Sequence, residues 1–447
     1  VNVKIRKGCD IRLTGASEKV IADLPAERVA YTLSDFPYIK PKVVVKEGDK
    51  VQKGTPLFFD KKNPDAVYVS PIAGSVEAIV RGDRRVLLKV IIKKEGEGAV
   101  QFDKLSLEQI EALDADGAKK ALLSRGLWPF VKRRPFLKVA LVEDQPTNIF
   151  VNCLDSNPLA ADPNFYLDGR TEDFNAGIAL LAQICSNVHV CQEGKAEPSQ
   201  TFTSSKGSSH RFSGKHPRGN TSVHIENIAP VVRQDQVVWT VRAQEVVAMG
   251  KTLLSGQFDA ERTVAWAGPA ASEAKYYRTT MGASVAALPV EDGVEVRRVS
   301  GSVLSGREMD DDAFVGTFDN TVIALKEGRE KKVLGWLDPG FGNHSLTRCY
   351  ASSFMPFSSE VALTTTTNGE HRAIVDSEMY DKVQPLDIHT AFLFKSLLCE
   401  DIEEAERLGL WSVSPEDFAL ATYMDPSKND FAAPLVKVLD TLHKEES

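Results

Sequence analysis

The residues whose types and spacing suit chemistry best lie in one stretch, Leu122 to Phe136, which reads LLSRGLWPFVKRRPF. A helical run stops at Gly126, and the segment after it carries Trp128, Phe130, Arg133, Arg134 and Phe136. Aromatic faces supply stacking contact and guanidinium groups donate to carbonyl oxygens, so these five residues together suit a planar, partly polar ring such as a quinone head group. The alternative is a hydrophobic loop pinned to its own domain, with its arginines in solvent. The six cysteines stand singly without a C-x-x-C, and the eight histidines form no H-E-x-x-H. Buried free thiols are the default for such cysteines, and neither a metal site nor an iron–sulfur cluster is expected.

The elements around this stretch alternate between helix and strand. Leu105 to Ser124 has apolar residues near 3.6 spacing and predicts a helix. Strands follow at Lys138 to Val142 and Ile149 to Leu154, then a helix over Phe174 to Cys185 and a strand over Val188 to Cys191. Val237 to Val241 reads as a further strand and Gln244 to Leu254 as a helix. That order predicts a parallel, Rossmann-like sheet over residues 100–257. It lacks both G-x-G-x-x-G and G-x-x-x-x-G-K-[ST], the glycine loops that let a backbone cradle phosphates. Ser199 to Asn220, with His210, His216 and Arg218 among Ser and Gly, reads as an exposed functional loop or a mobile connection.

With 43% hydrophobic and 26% charged residues, the 447-residue chain has the composition of a globular protein with several cores. A formal net charge of −8 argues against nucleic acid as a partner, because phosphate binding needs a basic field. No apolar run approaches the ~18–20 residues needed to span a bilayer. The N-terminal VNVKIRKGCDIRL alternates like a strand and has no apolar core of a signal peptide, so a cytoplasmic location is expected.

Lys42 to Ile92 breaks into short β-rich runs separated by Glu47-Gly48-Asp49, Asn63-Pro64-Asp65, Ala73-Gly74-Ser75 and Arg81-Gly82-Asp83. Such a meander predicts a small β-sandwich, completed by the residues before Lys42, and the domain ends in the charged, glycine-containing connector Glu95 to Gly98. VKEGDKVQKGTPLF followed by SPIAGSVEAI resembles the lipoyl/biotinyl barrel-sandwich fold. In that fold a carrier lysine stands on the hairpin tip, where this chain has Asp60-Lys61-Lys62-Asn63-Pro64. Lys61 or Lys62 is therefore the candidate for a swinging arm. The added Lys62-Asn63-Pro64 lengthens and stiffens the tip, which favours an unmodified lysine and a hairpin that serves as an assembly surface.

Residues 258–328 return to short strands and predict a β-grasp-like unit with one small helix after Gly282-Ala283-Ser284. The remainder, 329–447, opens with GWLDPGFGNHSL and then reads as helices at Ile388 to Leu398, Ile402 to Leu408, Pro415 to Thr422 and Pro434 to Leu442. The expected architecture is thus a multidomain α/β protein with a barrel-sandwich domain over 1–99, the Rossmann-like domain, a β-grasp (SLBB-like) unit and C-terminal helices.

Several phrases taken in order, KGCDIRLTG, GDKVQKGTPLFFDKKNP, GLWPFVKRRPF, DSNPLAADP, FSGKHPRG, SGSVLSGR, TTTTNGEHRA and PLDIHTAFLFKSLL, resemble the A subunit of the sodium-translocating NADH:quinone oxidoreductases. The resemblance runs from Lys7 to Leu398. It implies a peripheral subunit on the cytoplasmic side of the bacterial inner membrane, partnered by the other subunits of a complex that oxidises NADH, reduces quinone and exports sodium. NADH and the flavins are expected on other subunits, with this chain at the quinone-reducing end or in assembly. The layout is also similar to the C subunit of the Rnf complex and to the flavin-binding, NADH-oxidising subunit of respiratory complex I. Those relatives carry cluster-binding cysteines towards the C-terminus, and the complex I subunit holds FMN on a glycine-rich loop. Here the corresponding loop is Ser124-Arg125-Gly126-Leu127-Trp128-Pro129-Phe130, and ATYMDPSKND in the C-terminal helices has no cysteine pair. No covalent flavin, FMN or cluster is expected, and quinone is the one candidate ligand. No residue is expected to be catalytic in the isolated chain.

Overall fold

A computed structural model of the chain describes residues 1–195, 199–329, 335–341, 343, 350–354, 360–374 and 378–445. The central sheet has seven strands in the order Asn2–Ile5, Ser208–Gly214, Val188–Glu193, Asn148–Asn152, Val238–Arg242, Lys132–Arg134 and Lys138–Val139. The first five are mutually parallel, and the last two add an antiparallel edge. Ile149, Phe150 and Val151 are all fully buried, as expected for a parallel strand covered on both faces. Helices Thr171–Ile184 and Ala243–Ser255 cover one face. The C-terminal helices cover the other, in a core that joins Phe150 and Phe212 of the sheet to Phe394, Phe431 and Leu435. In Ala432–Glu445 the buried residues are Leu435, Val438, Leu439 and Leu442, an i, i+3, i+4, i+7 stripe. Each contributes roughly 1.5–3 kcal/mol of apolar burial.

The barrel-sandwich domain consists of a four-stranded sheet (Arg28–Thr32, Leu87–Lys94, Gly74–Arg81, Lys50–Val51) and a three-stranded sheet (Pro41–Val43, Pro56–Asp60, Asn63–Val69). Its core is continuous with that of the second domain. At the junction Gly126 has φ +69°, and a Cβ there would stand 2.5 Å from Val69 Cγ1. Only glycine allows the two domains to approach this closely.

Several expectations need correction. The residues before Lys42 do not all complete the sandwich. Asn2–Ile5 extends the central sheet beside Ser208–Gly214, and Glu18–Asp23 joins a six-stranded sheet with Lys275–Thr280, Glu261–Ala267, Thr321–Lys326, Val296–Ser300 and Arg307–Glu308. Ser208–Gly214 is a strand inside the segment read as a loop, with His210 and Phe212 turned into the core. Leu105 to Ser124 divides into Leu107–Glu111 and Ala115–Ser124, because Asp114 caps a new helix by accepting from Gly117 N–H. The segment after Gly282-Ala283-Ser284 forms turns and bridges and no helix. The GWLDPGFGNHSL phrase lies partly outside the described residues.

Candidate functional site: a cleft beneath the hairpin tip

The strand Lys132–Arg134 turns back onto Lys138–Val139 through Phe136 (φ +76°) and Leu137 (φ +54°). Two consecutive non-glycine residues in the left-handed region are strained by roughly 1–3 kcal/mol each, and they hold the turn in one shape against the N-terminal domain. The hairpin tip of that domain packs onto the same edge. Asn63 is buried, and its Nδ2 donates to the carbonyl of Ala140 at 3.2 Å. Asp60 fixes the tip from within, since its Oδ1 accepts from Lys40 N–H at 2.8 Å and from Lys62 N–H at 3.1 Å.

Between these elements lies a cleft of about 670 Å³, walled by Tyr38, Lys62 and Tyr68 of the first domain, Arg133 and Lys138 of the second, and His443 of the last helix. Arg133 Nη1 donates to Asp144 Oδ1 at 2.7 Å in a largely buried pair. Burial raises the Asp144 pKa, and Arg133 opposes that shift. Lys138 Nζ lies 3.3 Å from His443 Nδ1 and 5.1 Å from the centre of the Phe136 ring. Tyr38 and His443 face each other with ring centres 4.4 Å apart. Tyr68 stacks on Phe58 at 4.4 Å and meets Phe36 edge-on at 4.8 Å. Its buried hydroxyl makes no hydrogen bond among the described residues, and burial together with Asp60 pushes its pKa well above the usual phenol range.

The five residues expected to hold a ring are thereby separated. Arg133 lines the cleft. Trp128 is fully buried, edge-on to Trp239 at 5.5 Å, and its Nε1 donates to Ala140 O at 2.7 Å. Phe130 is buried and lines a different cavity. Arg134 is buried and donates to Ser222 Oγ at 2.9 Å and Ser412 O at 3.2 Å, tying the C-terminal helices to the sheet. Phe136 is buried behind the cleft against Tyr38, Trp411 and His443. Both tip lysines are exposed, and of the two only Lys62 lines the cleft. Tyr38, Tyr68, Lys138 and His443 were not among the expected site residues. They come from four distant parts of the chain, and no local pattern joins them.

Comparison with known proteins decides the family. Three family models match in order: an NqrA N-terminal barrel-sandwich hybrid domain over residues 3–95, an NqrA second alpha/beta domain over 113–258, and an NQRA C-terminal domain over 263–311. The A subunit of the Na(+)-translocating NADH-quinone reductase of Neisseria meningitidis is 35% identical over 99% of this chain and 100% of its own. Those of Aliivibrio salmonicida and Pasteurella multocida are each 37% identical with the same coverage. The chain belongs to the NqrA family, the A subunits of the Na(+)-translocating NADH-quinone reductases.

In this member of the NqrA family, the segment Arg125 to Phe130 is packed into the core. Leu127 and Trp128 are fully buried, and the backbone N–H groups of Leu127, Phe130 and Val131 are bonded within the chain. Among the described residues no group of three or more His, Cys, Asp or Glu could hold a metal ion, and Cys9, Cys153, Cys185, Cys191 and Cys399 are free thiols. No described helix is long and apolar enough to cross a membrane.

Proposed function

We propose that this chain is a peripheral subunit, on the cytoplasmic side of the bacterial inner membrane, of a complex that oxidises NADH, reduces quinone and exports sodium. It holds no redox cofactor of its own and contributes a quinone-binding cleft, while NADH and the flavins belong to other subunits. One observation carries the quinone reading: the cleft is lined by Lys62, Arg133, Lys138 and Tyr68, and the buried Tyr68 hydroxyl has no hydrogen-bond partner among the described residues. A quinone head offers two carbonyl acceptors on a flat apolar ring. Its carbonyls suit the phenol and the cations, and its ring suits stacking on the outside of the contacting Tyr38–His443 pair. The volume falls within the range of small-molecule sites. Bulky buried side chains where a phosphate needs open backbone support the absence of flavin.

Equilibrium titration of the isolated chain with a short-chain quinone is expected to show one saturable site. A stoichiometric flavin spectrum in the purified chain would contradict the cofactor-free reading.

A purely structural role is the second reading, favoured by Phe392 and Leu398, which stand 60% and 55% exposed on Thr390–Leu398 as a surface for docking other subunits. No saturable quinone binding would leave that role alone. A carrier role for Lys61 is disfavoured because the tip is packed onto the second domain through Asn63. An intact mass equal to that of the bare sequence is expected.

A further inference from the structure

A second cavity, of about 620 Å³, opens where the central sheet reverses its order. From Asn148–Asn152 the chain builds outwards to Val188–Glu193 and Ser208–Gly214 on one side, and it returns to place Val238–Arg242 on the other. The crevice beyond the carboxyl ends of two such strands is the usual ligand position in open α/β sheets. Here it is closed over by the 301–306 turn, by Phe318 to Thr321 and by Glu416 of the C-terminal helices.

Lys132 enters this cavity from the strand Lys132–Arg134, opposite Thr240. Its Nζ sits 3.8 Å from the centre of the Phe318 ring and makes no hydrogen bond or ion pair among the described residues. Arg242, whose Nη1 donates to Phe318 O at 2.5 Å, repels its positive charge, whereas Asp35, Glu245 and Asp319 attract it. Burial outweighs the attraction and lowers the amine pKa to about 8. Glu245 is buried in the wall with neither carboxylate oxygen hydrogen-bonded, and its nearest ion-pair partner, Arg262, stands 3.8 Å away.

We propose that Lys132 is a nucleophilic amine in a second ligand site and condenses there with a small, uncharged aldehyde or ketone. The ligand is uncharged because Asp155, Glu245, Asp319 and Asp430 outnumber Lys132 and Arg242 in the lining, which disfavours an anion, and an ammonium ligand would meet both cations. It is a carbonyl compound because an amine that is neutral in a sizeable fraction of molecules, and that makes no hydrogen bond or ion pair among the described residues, suits an electrophile. The Nζ lone pair forms a C–N bond to the carbonyl carbon while the C=O π pair moves to oxygen, which takes up a proton. The carbinolamine then loses water and leaves an imine, with no net oxidation or reduction. Glu416 lines the same cavity, and burial with repulsion from Asp417 and Asp155 raises its pKa to about 7, which puts a protonated carboxyl in the lining. This site is separate from the quinone cleft and does not depend on it.

The test is reductive alkylation of the full chain with propanal and cyanoborohydride at pH 7.5, read by peptide mass spectrometry. A lysine of pKa about 8 is roughly one-quarter neutral at that pH, whereas an ordinary exposed lysine is neutral in roughly one molecule per thousand. Lys132 is expected to react at least ten times faster than Lys61, with a rate that levels off above about pH 8. Lys132→Arg is expected to remove the fast site. Arg242→Gln, which deletes the neighbouring positive charge, is expected to move the levelling-off to higher pH. Labelling of Lys132 no faster than that of Lys61, or a rate still rising through pH 10, overturns the proposal.

Discussion

Replacing Tyr68 by Phe separates a structural from a ligand-binding role, because the two roles predict opposite signs. The ring keeps its contacts, stacked on Phe58 at 4.4 Å and edge-on to Phe36 at 4.8 Å, so the substitution removes only a hydroxyl. That hydroxyl is buried and has no hydrogen-bond partner among the described residues. Leaving a buried polar group unpaired costs about 1–3 kcal/mol, so Tyr68→Phe is expected to leave stability unchanged or raise it by about 1 kcal/mol. If the hydroxyl donates to a quinone carbonyl, its loss weakens binding by about 0.5–1.5 kcal/mol, or roughly two- to twelve-fold in Kd. Urea unfolding and titration with a short-chain quinone, run on the same preparation, read both quantities. A variant that is destabilised by more than 1 kcal/mol and binds quinone unchanged would show that the hydroxyl serves the fold, and it would refute the placement of the ring.

Two further outcomes follow from packing and titration. Gly126→Ala forces a side chain into the left-handed region and against Val69, and it is expected to cost about 2–3 kcal/mol in urea unfolding; a change below 0.5 kcal/mol would mean that the two domains are not in fixed contact. His224 is held neutral by burial, with its pKa lowered to about 3, and its Nε2 bonds the Arg218 carbonyl at 2.9 Å. The unfolded chain takes up this proton first, near pH 6.5, so the contribution of His224 is complete above that pH and declines as pH falls towards 3. At pH 5 the wild type is expected to have lost about 2 kcal/mol relative to His224→Gln, when both are referred to pH 7.5. Parallel pH–stability curves for the two proteins would contradict this.

What was legible in the sequence was local. The β-rich runs between turn residues from Lys42 to Ile92 became strands within a few residues of their expected limits, and the helix expected over Pro434 to Leu442 lies within Ala432–Glu445. Partners were not legible. Alternation in Asn2–Ile5 signals a strand but cannot say that its neighbour is Ser208–Gly214, more than two hundred residues away. That neighbour was itself obscured by serines and glycines, although His210 and Phe212 alternate inwards within it. The Trp128 to Phe136 stretch drew attention through composition, yet composition could not separate a binding surface from a core. The fold buries Trp128, Phe130, Arg134 and Phe136 and leaves Arg133 at the cleft. Lys132, between a buried valine and Arg133, had no signal at all, because its setting comes from Phe318 and Arg242.

Hydrogen–deuterium exchange of the isolated chain, with and without a saturating short-chain quinone, tests the central claim most directly. Protection is expected in Tyr38 to Lys40, Asp60 to Tyr68 and Lys138 to Glu143, the segments that wall the cleft, with the 301–306 turn unchanged. No protection, or protection confined to the 301–306 turn and the Asn152 to Pro158 segment, would contradict a quinone site beneath the hairpin tip.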